Sequence, residues 1–407
     1  MHIQTAAILR DAPSTPSRQV PVAPLTQPRQ EPMRDVLIVS GTRPEIVKLA
    51  PVYHALKGSG WARPYWLHTG QHDDMAQQML ACFEIQPDFV FHRVGTSLGE
   101  FSAACRSQLD AVLNERRWSA VVVQGDTEST FLGALAAFHH RIPVAHVEAG
   151  LRTGNLARPF PEEGLRQMIS RITRFHFAPT QGAACALYAE GISPAGVHVT
   201  GNTVIDAQQW VVQRYGIRHR AEGRGHLLVT AHRRENWGTD LEEICHAIAD
   251  IARAHPDMPV LFPVHLNPVV RGPVHAILGS LPNVTLTAPL DYLAMQQALV
   301  DAWLVLTDSG GLQEEAPTFG VPLLVMRTET ERPEAIQAGC ARLVGTGRAR
   351  IVAEVEALWS DLPAYTAMQQ AGNPFGDGHA SRRIVEILGA ALAPVVQPAV
   401  GATAGVA

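Results

Sequence analysis

What most limits how this chain can fold is a recurring unit: a continuous run of Val, Ile and Leu, a turn containing Gly, Ser or Asp, then helical periodicity. Val36-Leu37-Ile38-Val39-Ser40 leads through such a turn to Ile46, Leu49, Val52, Tyr53 and Leu56, which share one face of a helix. Residues 121–124 precede a helix expected over about 129–138, and 143–147 is the next strand. Strands that are apolar throughout, rather than alternating, require burial on both faces, as in a parallel sheet covered by helices on each side. The pattern restarts with strands at 227–230, 260–264, 303–307 and 323–325 and an amphipathic helix over 240–254. The fold class is therefore α/β, with two Rossmann-like domains and a central cleft.

The domains are expected at 35–212 and 226–375, joined by the polar segment 213–225, which carries three glycines. Residues 1–34 read as a disordered extension: the first 32 hold six prolines, four glutamines and no apolar period. Residues 393–407 read as a flexible tail, too short and proline-broken to span a bilayer. Between them, 407 residues exceed what one hydrophobic core usually supports, which agrees with two domains. With 33 Lys+Arg against 38 Asp+Glu, the net charge of −5 gives no general pull toward nucleic acid or anionic lipid. Neither nucleic acid nor membrane is expected as a partner. The five cysteines are scattered and form no C-x-x-C pair, so each reads as a small buried apolar residue. Without a disulfide framework or an apolar export signal, the expected location is the cytoplasm.

In such folds ligands bind beyond the carboxyl ends of the strands. The segment after the first strand, Ser40-Gly41-Thr42-Arg43-Pro44-Glu45 with Lys48 one turn on, offers free N–H groups and two cations suited to phosphate. It also reads as a tight strand-to-helix turn with a solvated arginine. Asp126 follows one strand, Glu148 the next, and Glu162 sits in the Pro-stiffened segment Arg158-Pro159-Phe160-Pro161-Glu162-Glu163. Three acids sharing a cleft would shift one another's pKa values and permit acid and base roles; singly, Asp126 and Glu148 also read as helix caps. Of eighteen histidines, His232 and His265 stand out because each follows a strand. Thr307-Asp308-Ser309-Gly310-Gly311 combines a strand end, a small-residue turn and a helix start, an anion cradle, and Glu315 is placed to accept from ribose hydroxyls. Arg327 and Arg332 add counter-charge after the following strand. Neither a G-x-G-x-x-G nor a Walker lysine motif is present, so the standard NAD and ATP fingerprints are missing.

Several of these segments form an ordered series: Gly41-Thr42-Arg43-Pro44-Glu45, Gln124-Gly125-Asp126-Thr127, His146-Val147-Glu148-Ala149-Gly150-Leu151-Arg152, Pro161-Glu162-Glu163, Thr200-Gly201-Asn202-Thr203, His232-Arg233-Arg234-Glu235, His265-Leu266-Asn267-Pro268, Asp308-Ser309-Gly310-Gly311 and Glu331-Arg332-Pro333-Glu334. From about residue 36 to 388 the chain resembles the bacterial non-hydrolysing UDP-N-acetylglucosamine 2-epimerases. The resemblance implies the glycosyltransferase-B-type fold, with a last helix at about 380–388 returning to the first domain. It implies interconversion of UDP-GlcNAc and UDP-ManNAc through elimination of UDP to a 2-acetamidoglucal, without redox cofactor or metal, in a homodimer that feeds surface polysaccharide synthesis.

By the same resemblance, Asp126, Glu148, Glu162 and His232 are the catalytic candidates, with the sugar face served by each acid left open. Arg43, Lys48, Ser309, Gly310, Gly311 and Arg332 would hold phosphates or sugar, Glu315 the ribose, and Leu290 and Met295 would lie in the uracil loop. Gln71, Arg106, Arg233 and His265 match positions that bind a second, activating UDP-GlcNAc in many members. Here Asp73 and Asp74 replace the family's usual Arg and Glu, a departure at that regulatory region. An epimerase of a modified UDP-GlcNAc, a hydrolysing epimerase and a glycosyltransferase of the same fold are the alternatives.

Overall fold

The computed structural model describes residues 33–71, 74–219 and 224–393. Residues 1–32, 72–73, 220–223 and 394–407 lie outside the described residues, and with them nearly all of the expected extension 1–34 and tail 393–407, but Arg34 itself opens the first strand. Seven parallel strands form the first sheet: β1 (Arg34–Ser40), β2 (Ala62–His68), β3 (Phe89–Val90), β4 (Ala120–Gln124), β5 (Val144–Val147), β6 (Phe175–Ala178) and β7 (Val197–Val199). Their spatial order is β3-β2-β1-β4-β5-β6-β7. Six further parallel strands form a second sheet: β8 (His226–Thr230), β9 (Val260–Pro263), β10 (Val284–Thr287), β11 (Ala302–Thr307), β12 (Leu323–Val325) and β13 (Ala341–Leu343), in the order β10-β9-β8-β11-β12-β13.

Alternation along β1 explains its unbroken apolar sequence. Val36 and Ile38 pack with Ile46, Leu49 and Leu56 on one face, while Leu37 and Val39 pack with Phe101, Leu109 and Leu132 on the other. In β11 the same division sends Val305 to one core and Leu304 and Leu306 to another. Each sheet reverses its strand order once, between β1 and β4 and between β8 and β11. The segments that follow those four strands carry Arg43, Asp126, His232 and Ser309, so both crevices where such sheets hold ligands are furnished by the segments singled out above. This is the two-Rossmann-domain, glycosyltransferase-B-type architecture.

The last helix, Ala380–Leu392, packs on helices Arg43–Gly58 and Thr203–Tyr215, which cover the first sheet. Asp206 fixes its start: one carboxylate oxygen accepts the Ser381 N–H and hydroxyl (2.8 and 2.5 Å), the other the Ala380 N–H (3.2 Å). Ile384 is fully buried in this seam, and Ile384→Val is expected to cost about 0.5–1.5 kcal/mol in urea unfolding.

Two expectations need correction. The proposed linker begins inside a helix, which runs to Tyr215 and ends at Gly216, where φ is +64°. Its last turn is polar because it is exposed, yet Arg214 pairs with Glu84, and the Tyr215 hydroxyl donates to the Cys82 carbonyl at 2.7 Å. The cysteines are not uniformly buried either: Cys105, Cys245 and Cys340 are, whereas Cys82 is half-buried and Cys185 exposed. Cys185 lies on the outer face of helix Gln181–Ala189, whose buried side is carried by Ala183, Ala184 and Leu187.

Candidate active site

A cavity of about 640 Å³ opens at the strand ends of the two sheets. Arg43, Pro44 and Lys48 enter it from the first sheet's side; His232, His265, Leu290, Tyr292, Met295, Ser309, Gly311, Glu314, Glu315 and Arg332 enter from the second. Local chemistry sets these positions. Glu45 accepts the Gly41 and Thr42 N–H groups (2.9 and 2.6 Å) and the hydroxyls of Thr127 and Thr130 (2.7 and 2.8 Å), tying the β1 turn to the β4 turn. A side chain at Gly41 would collide with Ser129, so only glycine allows this close approach. On the other side, the Thr230 and Thr307 hydroxyls, 2.6 Å apart, pin the ends of β8 and β11.

The acids behave differently from one another. Thr127, not Asp126, caps helix Glu128–His139, accepting the Thr130 N–H. Asp126 instead accepts from Arg166 Nε at 2.7 Å, and Arg166 Nη2 pairs with the same oxygen at 2.6 Å. Glu148 caps nothing: it leaves β5 in the left-handed region at φ +63°, uncommon for a residue with a side chain and costing on the order of 1–3 kcal/mol. The bend presents its buried carboxylate to Lys48 Nζ and to the Gln124 amide, which donates to it. Glu162 and Glu163 divide their work. Glu163 is buried and accepts the Thr153 and Gly154 N–H groups, holding the loop after β5, while Glu162 Oε2 is shielded from solvent without a hydrogen-bond partner among the described residues.

Glu314, which sequence reasoning passed over for its neighbour Glu315, is central. Its carboxylate meets Lys48 Nζ at 3.2 Å, Arg332 Nε at 2.5 Å and the Asn202 amide at 2.9 Å. Lys48 and Arg332 are therefore already paired, in a cluster of two cations and two carboxylates. The pKa values of those carboxylates are pushed apart. Burial raises Glu148, reinforced by the charge on Glu314; burial of Glu314 is outweighed by Lys48 and Arg332, which bring it down to about 2. Lys48 is held protonated: burial lowers its pKa, but Glu148 and Glu314 raise it by more. Glu315 is lifted to about 7, first by burial, against the opposing hydrogen bond from Gln296 Nε2 at 2.7 Å.

His232 is held by another residue not singled out as a site. Buried Asp308 accepts the His232 and Arg233 N–H groups at 2.9 Å each and the Asn236 amide at 3.2 Å through Oδ2. Its Oδ1 lies 3.1 Å from His232 Nδ1, within ion-pair distance though off the hydrogen-bond line. Asp308 was visible as a turn residue; only the fold reveals that it faces His232.

A family model, UDP-N-acetylglucosamine 2-epimerase, matches residues 54–389. The UDP-N-acetylglucosamine 2-epimerase of Escherichia coli K12 is 46% identical over 367 residues, covering 87% of this chain and 98% of that protein. The chain belongs to the UDP-N-acetylglucosamine 2-epimerase family. The Bacillus subtilis 2-epimerase is 44% identical over 359 residues, with 87% of this chain and 94% of the relative covered. Among solved structures, the Neisseria meningitidis UDP-GlcNAc 2-epimerase bound to UDP-GlcNAc aligns with a TM-score of 0.78 at 40% identity, over 87% of this chain and 99% of that one.

In this 2-epimerase family member the four positions expected to match a regulatory site each have their own neighbours. Gln71 Oε1 accepts the Ser129 N–H and hydroxyl (3.2 and 2.6 Å). Arg106 pairs with Asp110 and contacts His139. Arg233 Nη2 lies 3.6 Å from where a Cβ on Gly310 would stand, and His265 lines the cavity itself. Arg327, expected to add counter-charge, is nearly buried and donates to Glu235 at 3.1 Å.

Proposed function

We propose that the protein interconverts UDP-N-acetylglucosamine and UDP-N-acetylmannosamine by reversible elimination and re-addition of UDP. One observation carries the reading: Glu148 and the cluster that would meet the diphosphate share Lys48. In a UDP-sugar the C2 hydrogen is attached to the carbon next to C1, which bears the leaving oxygen. A base that touches a phosphate-binding lysine is thus in reach of the C2 proton as the C1–O bond breaks. The C2–H electron pair forms the C1=C2 bond, the C1–O pair leaves with UDP, and the proton passes to a carboxylate. Re-addition reverses these steps, with the proton returned to the opposite face by another acid.

Arg43, Lys48, Arg332 and the Ser309–Gly311 turn would stabilise the departing diphosphate, with His232 beside them. Asp126 and Glu162 remain the acid/base partners of Glu148. A glycosyltransferase would attack only C1 and has no use for a raised carboxylate beside C2. Incubation with UDP-GlcNAc in deuterated water, followed by NMR, tests the reading. The expected product is UDP-ManNAc carrying deuterium at C2, and undeuterated UDP-GlcNAc recovered intact would refute it. The accompanying readings are a homodimer, checked by light scattering, and a cytoplasmic enzyme acting on the nucleotide-sugar pool for surface polysaccharide. No described helix is long and apolar enough to cross a membrane.

Glu315 supplies a pH prediction. Near neutrality its carboxyl is partly protonated, because burial brings it to about 7. Ribose hydroxyls donate to the ionised form, so binding lowers that pKa and releases a proton. UDP affinity is expected to rise as pH increases from about 6 to about 8. Calorimetry in buffers of different ionisation enthalpy should detect the proton, and Glu315→Gln should abolish both the proton release and the pH dependence.

A further inference from the structure

Two of the cations expected to hold a diphosphate, Lys48 and Arg332, are neutralised within the protein. Lys48 comes from helix Arg43–Gly58 over the first sheet, Arg332 from the loop after β12 in the second. Both meet one carboxylate, that of Glu314, 2% exposed and steadied by Asn202 from the segment after β7. Its main chain is held as well, since the Glu314 carbonyl accepts from the Asn373 amide at 2.9 Å. A buried acid contacting cations from both sides of the cleft is more than a local ion pair. Two buried cations without it would repel each other and be costly to desolvate.

We propose that Glu314 is a positioning residue that clasps Lys48 and Arg332 across the cleft, holds them beside Glu148, and yields both to the incoming diphosphate. The carboxylate stands in for the phosphates while the site is empty. On binding, phosphate oxygens take over its hydrogen bonds, and the clasp across the cleft passes to the ligand. The charged groups facing Glu314 are Lys48, Arg332 and Glu148, with Glu315 beside it on the same helix and Glu331 on the far side of Arg332 at 3.6 Å. Of these, Glu148 is the one whose protonation the clasp governs: the negative charge of Glu314 opposes its ionisation, and Lys48, shared by both, favours it.

This assignment rests on the epimerase reading for its kinetic half and stands apart from it for its binding half. Glu314→Gln keeps the shape and the Asn202 contact but removes the charge. Calorimetry with UDP is expected to show binding about tenfold tighter, because the freed cations gain the phosphates without losing a carboxylate. The acid limb of the kcat/KM profile for C2 exchange, which reports the free enzyme, is expected to move to lower pH. A purely structural glutamate would lower the melting temperature and move neither. Glu314→Asp, which retains the charge on a shorter arm, should restore the limb to its wild-type position, and it carries the test if Glu314→Gln does not fold. UDP binding that is unchanged or weaker in Glu314→Gln, or a limb that Glu314→Asp displaces as far as Glu314→Gln does, overturns the assignment. Absence of C2 exchange in the wild-type protein would instead overturn the epimerase reading, leaving the UDP titration to judge the clasp.

Discussion

Glu148→Gln is expected to slow C2 proton exchange by about a hundred- to ten-thousand-fold while UDP still binds within a few-fold of wild type. The amide matches the carboxylate in shape, so the left-handed turn after β5 and the Gln124 side of the contact can persist with little rearrangement. Lys48 keeps Glu314 as a partner at 3.2 Å and so keeps its place in the cleft. What disappears is a proton acceptor whose basicity is raised by burial and by the neighbouring charge. The raised folded-state value gives the sign of the pH dependence. Acting as a base, Glu148 must be ionised, so wild-type kcat/KM should fall as pH drops through a value above the ordinary carboxylate range. In Glu148→Gln that limb should vanish along with most of the rate. NMR in deuterated water supplies the rate and calorimetry the UDP affinity; wild-type-like exchange in the variant would remove Glu148 from the chemistry.

The strands and the crevices were legible because each rests on local sequence. Continuous apolar runs need two covered faces, and a strand followed by Gly, Ser or Asp and then a helix leaves few places for its loop. Legibility failed where one residue's step around a helix decides the outcome. Glu314 and Glu315 are adjacent, but the roughly 100° between successive positions sends one to Lys48 and Arg332 and the other to Gln296. The same holds for Glu162 and Glu163, of which one keeps a buried oxygen without a partner among the described residues and the other holds a loop. The internal pairing of charges was hidden for a related reason. Lys48 and Arg332 looked like free phosphate ligands because their counter-ions lie 100 and 18 residues away in sequence. The polar last turn before Gly216 looked like a linker because its contacts, to Glu84 and Cys82, are equally remote.

Asp308 offers the second large effect, because two substitutions separate support from orientation. Asp308→Ala strips the acceptor from two backbone N–H groups and the Asn236 amide inside the protein, at an expected cost of about 3–5 kcal/mol in urea unfolding. Burial by itself would raise this carboxyl, but the bonds and charge from His232 and the Arg233 N–H outweigh it and hold the pKa below the usual range. A depressed folded-state value contributes stability that is present above the unfolded pKa and lost as pH falls through the folded one. The gap between wild type and Asp308→Ala should therefore narrow below about pH 4. Asp308→Asn can still accept all three donors through its amide oxygen, so its stability should stay much closer to wild type. Its amide nitrogen, however, then faces His232 Nδ1 where a carboxylate oxygen stood at 3.1 Å. A donor there favours the ring tautomer with the proton on Nε2, reversing the preference that the carboxylate imposes. That tautomer can still donate to a departing diphosphate through Nε2, but without the carboxylate beside it the ring has less positive charge to offer, so exchange should fall at least about a hundredfold in a folded protein that still binds UDP. Full activity in Asp308→Asn would show that the carboxylate only braces the loop, and equal instability in both variants would show that its charge, rather than its three accepted bonds, holds the turn.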